Sequence, residues 1–370
     1  MPQFLLPTDS MPTARARLPF LLMTVVALAA CAGKPNLPPE PASPLSNWTV
    51  RQQTALSNAH LLPADTSYQS HYLQWHDASR QRQVQAKLYL PPNAAFAQPV
   101  PLVVFSHGIG GSREGYSYLG KNWAAQGYAS LHVQHEGSDN RLWTGNPLAL
   151  VARMHDAAQE SEALNRVHDL RFALDQVLAS TDLAPRLDAT RIVAAGHSYG
   201  ANTVLLAAGA VVQRPSGPVQ LRDSRLRAAI IISAPPFHGE AAPQSIVKAI
   251  AIPTLHITAT GDDIRIPGYV SSYEDRVRLF EQIGSTQKTL AVYREGSHSM
   301  FTDRLNTGGQ ALNPKVKAAT LALTLAFFGD VLAGQKAPLA AWPAGHLDLL
   351  ARFEPNGSTA SGAPIKFVFL

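Results

Sequence analysis

Six short apolar runs, most of them followed by a stretch of helical spacing, limit what this chain can fold into more than any other feature. They read "PLVVFSHG", "YASLHVQ", "RIVAAGH", "LRAAIIISAP", "PTLHITAT" and "KTLAVYRE". Strands that are apolar almost throughout must be buried on both faces, which is the mark of a parallel sheet. The intervening "YLGKNWAAQG", "QESEALNRVHDLRFALDQVLAS", "ANTVLLAAGAVV", "SSYEDRVRLFEQI" and "PKVKAATLALTLAFFGDVLA" have helical spacing and supply the cover. Two earlier strands, "SHYLQWHD" (70–77) and "QVQAKLYL" (83–90), are joined by a polar turn and closed by Pro91-Pro92. The expected class is α/β, a mostly parallel central sheet with helices on both faces. Right-handed crossovers gather the C-terminal ends of the strands on one rim, where loops can assemble a site. An excursion between Gln134 and Gln159 can cover part of that rim but is too short for a lid domain.

The N-terminus reads as a targeting segment. Arg15 and Arg17 precede the apolar run "LPFLLMTVVALAA", which is shorter than a membrane span and ends in small residues, the pattern of a secretory signal. Met11, just ahead of the arginines, is a second possible start. The following "LAAC" ends in Cys31, the sole cysteine, and resembles the bacterial lipobox, whose thiol accepts a diacylglycerol. Ala32 after the cysteine resembles lipoproteins forwarded to the outer membrane. The segments expected are a signal peptide (1–30), a lipidated, Pro-rich tether (31–48), a catalytic domain (49–335) and an extension without an assigned role (336–370). One cysteine allows no internal disulfide.

The chemistry centres on "GHSYG", residues 196 to 200. Ser198 stands where a strand must turn sharply into a helix, with glycines on either side to relieve crowding, so its hydroxyl is expected to project above the sheet as a nucleophile. A serine needs a base. If the partners follow in the order serine, acid, histidine, only His298 and His346 lie beyond the best acids. His298, directly after the last strand in "REGSHSMF", is on the correct rim. Of the carboxylates between Ser198 and His298, Asp262 and Asp263 alone follow a strand end, and the pattern leaves both open. "HGIGG", after an earlier strand, is expected to supply the Ile109 amide to an oxyanion, with the Tyr199 amide as its partner. His107 and His197 each flank a turn and are expected to be structural. Met300, Phe301 and Trp143 are the expected apolar walls of an open cleft, suited to short or medium acyl esters.

The set "FSHGIGGSRE", "GHSYG", "GDDIRIP" and "GSHSMF", in this order, resembles the α/β-hydrolase superfamily. Within it, the chain is similar to the branch of dienelactone-hydrolase-like and platelet-activating-factor-acetylhydrolase-like esterases. "WHDASRQRQVQAKLYLPP" and "RVHDLRFALDQVL" carry that narrower likeness. The family's "D-x-x-[VI]-P" pattern implies Asp263 as the acid, with Pro267 as its proline. Dienelactone hydrolases use cysteine where this chain has Ser198. The acetylhydrolases of animals place their acid after an earlier strand, where "AAIIISAPP" offers none.

The resulting expectation is an exported, lipid-anchored serine hydrolase of carboxylic esters, with Ser198, His298 and Asp263 as its triad. A peptidase or thioesterase would use the same three residues, whereas a silent binding lipoprotein would have no reason to keep them. No cofactor or metal is expected, since there is no dinucleotide or Walker-type motif and no close His/Cys cluster. The 31 basic and 26 acidic residues are scattered, without a basic, aromatic-interleaved patch for nucleic acid.

Overall fold

The computed structural model describes residues 68–92, 98–237, 243–266, 269–304, 309, 311–355 and 365–366. The expected signal segment, Cys31 and the expected tether lie outside the described residues, as does Pro267.

The apolar runs form the sheet anticipated for them. Its strands are β1 (Gln69–Asp77), β2 (Arg82–Leu90), β3 (Val100–Ser106), β4 (Ala129–Gln134), β5 (Leu187–His197), β6 (Leu226–Ile232), β7 (Thr254–Ala259), β8 (Lys288–Tyr293), β9 (Leu350–Glu354) and β10 (Ile365–Lys366). They lie in the order β1-β2-β4-β3-β5-β6-β7-β8-β9-β10. The run from β4 to β8 is parallel, while β1 and β2 at one edge and β9 and β10 at the other are added antiparallel.

Alternate residues of each central strand point into different cores. Leu102, Val104, Ile192, Ala194, Ala229 and Ile231 face one cluster; Val103, Phe105, Val193, Ala195, Ala228 and Ile230 face the other. The second cluster is covered by helices α1 (Ser117–Ala125) and α5 (Leu312–Ala333), through Leu119, Trp123, Leu323 and Phe328. The first is covered by α2 (Glu160–Ala179) and α3 (Tyr199–Ala208), through Val167, Leu170, Val204 and Leu205, and by Leu279 of α4 (Tyr273–Gln282). An apolar strand therefore has no polar side to show, which is why the runs lack alternation.

Two details differ from the reading of the sequence. The helix expected over 201–212 ends at Ala208, where Gly209 turns the chain into a two-stranded ribbon of Val211–Val212 and Val219–Gln220. The stretch beyond 335 is not an appendage to the sheet: β9 pairs with β8, and Trp342, Leu350 and Phe353 complete the second core.

β3 lies between β4 and β5, so the chain leaves its C-terminal end in one direction and returns on the other side. Such a reversal opens a crevice at the strand ends. The loops after β3, β5, β7 and β8 meet there.

Candidate active site

Ser198 occupies the single residue between β5 and α3. Its backbone, at φ 56° and ψ −125°, is in a region that side-chain-bearing residues avoid, at a cost of roughly 1–3 kcal/mol. The turn closes only because its flanks lack side chains. A Cβ on Gly200 would stand 2.0 Å from the Ser106 carbonyl oxygen, and one on Gly196 would stand 2.3 Å from that of Gly200. The Ser198 N–H donates to the Ile232 carbonyl at 2.9 Å, which ties the turn to β6.

His298 begins a 3-10 turn after β8 and faces this serine: its Nε2 is 2.7 Å from Ser198 Oγ. Its Nδ1 is 2.7 Å from a carboxylate oxygen, and that carboxylate belongs to Asp262. This corrects the family-implied choice of Asp263. The Asp263 side chain is 39% exposed, turned away from His298, and pairs with Arg265 at 3.1 Å. Asp262 is wholly buried; its second oxygen accepts the hydroxyls of Ser233 and Thr258 and lies 3.5 Å from Arg276 Nε. Burial opposes its ionisation. The His298 cation, the His298 hydrogen bond, Arg276 and Ser233 outweigh that and hold the carboxyl far below the usual carboxylate range. The acid and base loops interlock, for a Cβ on Gly261 would meet the Gly296 carbonyl oxygen at 2.1 Å.

Among the described residues, five non-glycine residues have positive φ: Gln81, Tyr116, Ser198, Ser233 and Glu295. Gln81 turns the β1–β2 hairpin; the other four surround this crevice, where strain is held by the packing about it.

The "HGIGG" loop reaches the serine, its Gly108 lying so close that a Cβ would be 3.2 Å from that of Ser198. The N–H groups of Gly108, Gly110 and Gly111 are taken by Tyr116 Oη, the Ser138 carbonyl and the Gly108 carbonyl. Among the described residues, those of Ile109 and Tyr199 have no acceptor. Both N–H groups are therefore free to donate to a group bound beside Ser198.

The expected walls fare differently. Met300 and Phe301 are fully buried in the second core, because the 3-10 turn that presents His298 directs them inward beside Tyr293 and Val316. They cannot line an open cleft. Trp143 is half-buried in the Gln134–Gln159 excursion, donating from Nε1 to the Gly110 carbonyl at 2.7 Å. It lies on the loop that carries Ile109.

A buried polar layer beneath this loop was not anticipated. Arg166 of α2, wholly buried, donates to Thr203, Ser138, Ser106 and the His107 carbonyl. Ser138 in turn bonds Glu162, and its carbonyl holds the Gly110 amide. One signal was available. Arg166 falls on the helical stripe of Leu170, Ala173 and Val177, so a charge occupies a core position and must have buried partners.

Comparison with known proteins bears on both fold and family. A ferulic acid esterase from Streptomyces cinnamoneus superposes with a TM-score of 0.56 at 23% identity, over 75% of this chain and 93% of that one. The fold is that of the α/β-hydrolases. A cold-adapted esterase from an Arctic intertidal metagenomic library aligns at TM-score 0.46 and 20% identity, over 63% of this chain and 87% of its own. Residues 77–144, from the end of β1 through the "HGIGG" loop to Thr144, match the family of platelet-activating factor acetylhydrolase, isoform II. The platelet-activating factor acetylhydrolase of Cavia porcellus is 29% identical over 140 residues, 28% of this chain. The match spans 31% of that relative's length.

Proposed function

We propose that the chain is a serine hydrolase of carboxylic esters, with Ser198 as nucleophile, His298 as general base and acid, and Asp262 as the orienting carboxylate. The observation that carries this reading is the unbroken line from Asp262 through His298 to Ser198, 2.7 Å at each step, with the serine on a strained turn. The partial match to the acetylhydrolase family, and the likeness to an acetylhydrolase and to a ferulic acid esterase, support an ester as the substrate.

Each step follows from the positions. The carboxylate accepts from Nδ1–H, which leaves Nε2 bare to take the Ser198 proton. Oγ then attacks the ester carbonyl, and the oxyanion is met by the Ile109 and Tyr199 amides. His298, now protonated, passes the proton to the departing alkoxide, leaving an acyl-serine. Water enters, gives a proton to His298 and attacks the acyl carbon; the Ser198 oxygen then leaves with that proton, and the acid is released. The Asp262 carboxylate remains ionised throughout, consistent with its depressed pKa.

Short or medium acyl esters outside the cytoplasm, presented to an enzyme anchored through Cys31, belong to the same proposal. The test is labelling by a fluorophosphonate probe together with turnover of p-nitrophenyl acetate. Wild type should label and turn over, and Ser198→Ala should do neither while keeping its melting temperature. Turnover retained in a folded Ser198→Ala variant would remove the serine from the chemistry.

A further inference from the structure

Two buried residues outside the triad, Tyr116 and His197, join the loop carrying an amide donor to the loop carrying the base. His197 Nε2 lies 2.9 Å from the backbone carbonyl oxygen of His298. A carbonyl only accepts, so this nitrogen carries the hydrogen. His197 Nδ1, 2.8 Å from the Tyr116 hydroxyl, is then the bare nitrogen, and the hydroxyl donates to it. The lone pair left on that oxygen accepts the Gly108 N–H, at 3.3 Å, one residue before Ile109. Each bond fixes the direction of the next, so the line from Gly108 to His298 has one consistent arrangement of hydrogens.

The surroundings keep it so. Tyr116 and His197 are each 3% exposed, and the His197 ring centre is 4.8 Å from that of His298. The groups that titrate or carry charge around His197 are Tyr116, His298, Asp262 and Arg276. Burial, and then the nearness of the His298 cation, bring His197 down to about 3, so it stays neutral while His298 cycles through its charged form. Tyr116 reaches the ring from a left-handed backbone, φ 58° and ψ 29°, an unfavourable conformation for an aromatic residue.

We propose that Tyr116 and His197 are positioning residues that hold His298 in register with the Ile109 amide. His197 does so by donating to the His298 carbonyl, and Tyr116 by orienting His197 and accepting from Gly108. This rests on the assignment of Ser198 and His298 made above. The triad supplies a base, but the transition state needs that base and the amide donors at fixed separation, and a bonded bridge provides it.

The experiment compares Tyr116→Phe, His197→Leu, His197→Gln and the Tyr116→Phe/His197→Leu double variant, with Ser198→Ala alongside, on p-nitrophenyl acetate across pH. His197→Leu should lower kcat about 10- to 100-fold with KM within about twofold, the expected consequence of an orphaned buried carbonyl beside the base. The pH at half-maximal kcat/KM should also move, which a purely structural loss of active protein would not cause. His197→Gln, whose amide can still donate to that carbonyl, should recover much of the rate. Tyr116→Phe should cost less than His197→Leu, and the double variant should be no worse than His197→Leu alone, because both act through one chain of bonds. If His197→Leu fails to fold, Tyr116→Phe decides the matter by the same readouts. His197→Leu and Tyr116→Phe both within twofold of wild type in kcat, with an unmoved pH midpoint, or fully additive losses, would overturn the bridge. Activity retained in Ser198→Ala would instead overturn the underlying assignment.

Discussion

Replacing Asp262 by asparagine separates the two adjacent aspartates more cleanly than any other change. Asp262 Oδ1 is 2.7 Å from His298 Nδ1, which puts the centres of charge about 4 Å apart once the imidazolium forms. At an effective dielectric of about 20, such a pair attracts by about 4 kcal/mol. Losing it in the transition state slows the reaction roughly 10³-fold. An asparagine can also turn its NH2 toward Nδ1 and favour the tautomer with hydrogen on Nε2, which cannot accept from Ser198, so the loss should reach or exceed that figure. Asp263→Asn removes only an exposed partner of Arg265, itself 77% exposed, and should leave kcat within about twofold. The assay is kcat on p-nitrophenyl acetate, with the melting temperature of each variant measured alongside, because Asp262 also faces Arg276. A folded Asp262→Asn variant within tenfold of wild type, or a greater loss in Asp263→Asn, would refute the reasoning.

Other expectations follow from buried charge and from the N-terminus. Lys288, almost fully buried, gives its ammonium to the carbonyls of Phe280, Glu281 and Ile283 at the end of α4. Lys288→Met should cost about 3 kcal/mol in urea unfolding with kcat unchanged, and a loss below 1 kcal/mol would deny it a capping role. His132, His135, His197 and His256 are lowered to about 3, in each case first by burial. Above about pH 6.5 they are neutral folded or unfolded; below it only the unfolded chain takes up protons, so each should cost about 2 kcal/mol by pH 5. The urea midpoint should therefore fall steeply between pH 7 and 5, and a flat midpoint would contradict neutral burial. Cys31→Ser should abolish incorporation of a fatty-acid analogue in cells, since a hydroxyl cannot form the thioether; equal labelling would dismiss the lipobox.

The sheet was legible because its strands are buried on both sides, and an uninterrupted apolar run such as "AAIIIS" has few other uses. β9 was not, because "LARFE" is short and mixed and follows a stretch broken by proline and glycine. Only Leu350 and Phe353 carry its packing against the second core, while Arg352 pairs with Glu281 and Glu354. The polar layer under the "HGIGG" loop was hidden for a related reason. Its members, from Ser106 to Thr203, come from separate elements and become neighbours only when α2 packs on the sheet.

That Ser198 and His298 meet on one rim could be read from the sequence, and which aspartate faces His298 could not, because the two placements are fixed by different things. The serine is fixed by steric need: Gly196 and Gly200 leave one residue between strand and helix, and that residue has nowhere to point but into the crevice. The acid is fixed by a turn. After β7, the N–H of Asp262 bonds the Ala259 carbonyl and that of Asp263 bonds the Gly261 carbonyl, so successive side chains leave on opposite sides. A spacing counted back from Pro267 assumes a loop length beyond the aspartate; it carries no information about which way the turn faces. The direction is set by what waits inside: Ser233 and Thr258 at the strand ends and Arg276 from α4 can satisfy one buried carboxylate, and only the residue at 262 reaches them. In this turn a shift of one residue exchanges a buried position facing His298 for a solvated one, and spacing alone carries no sign of which is which.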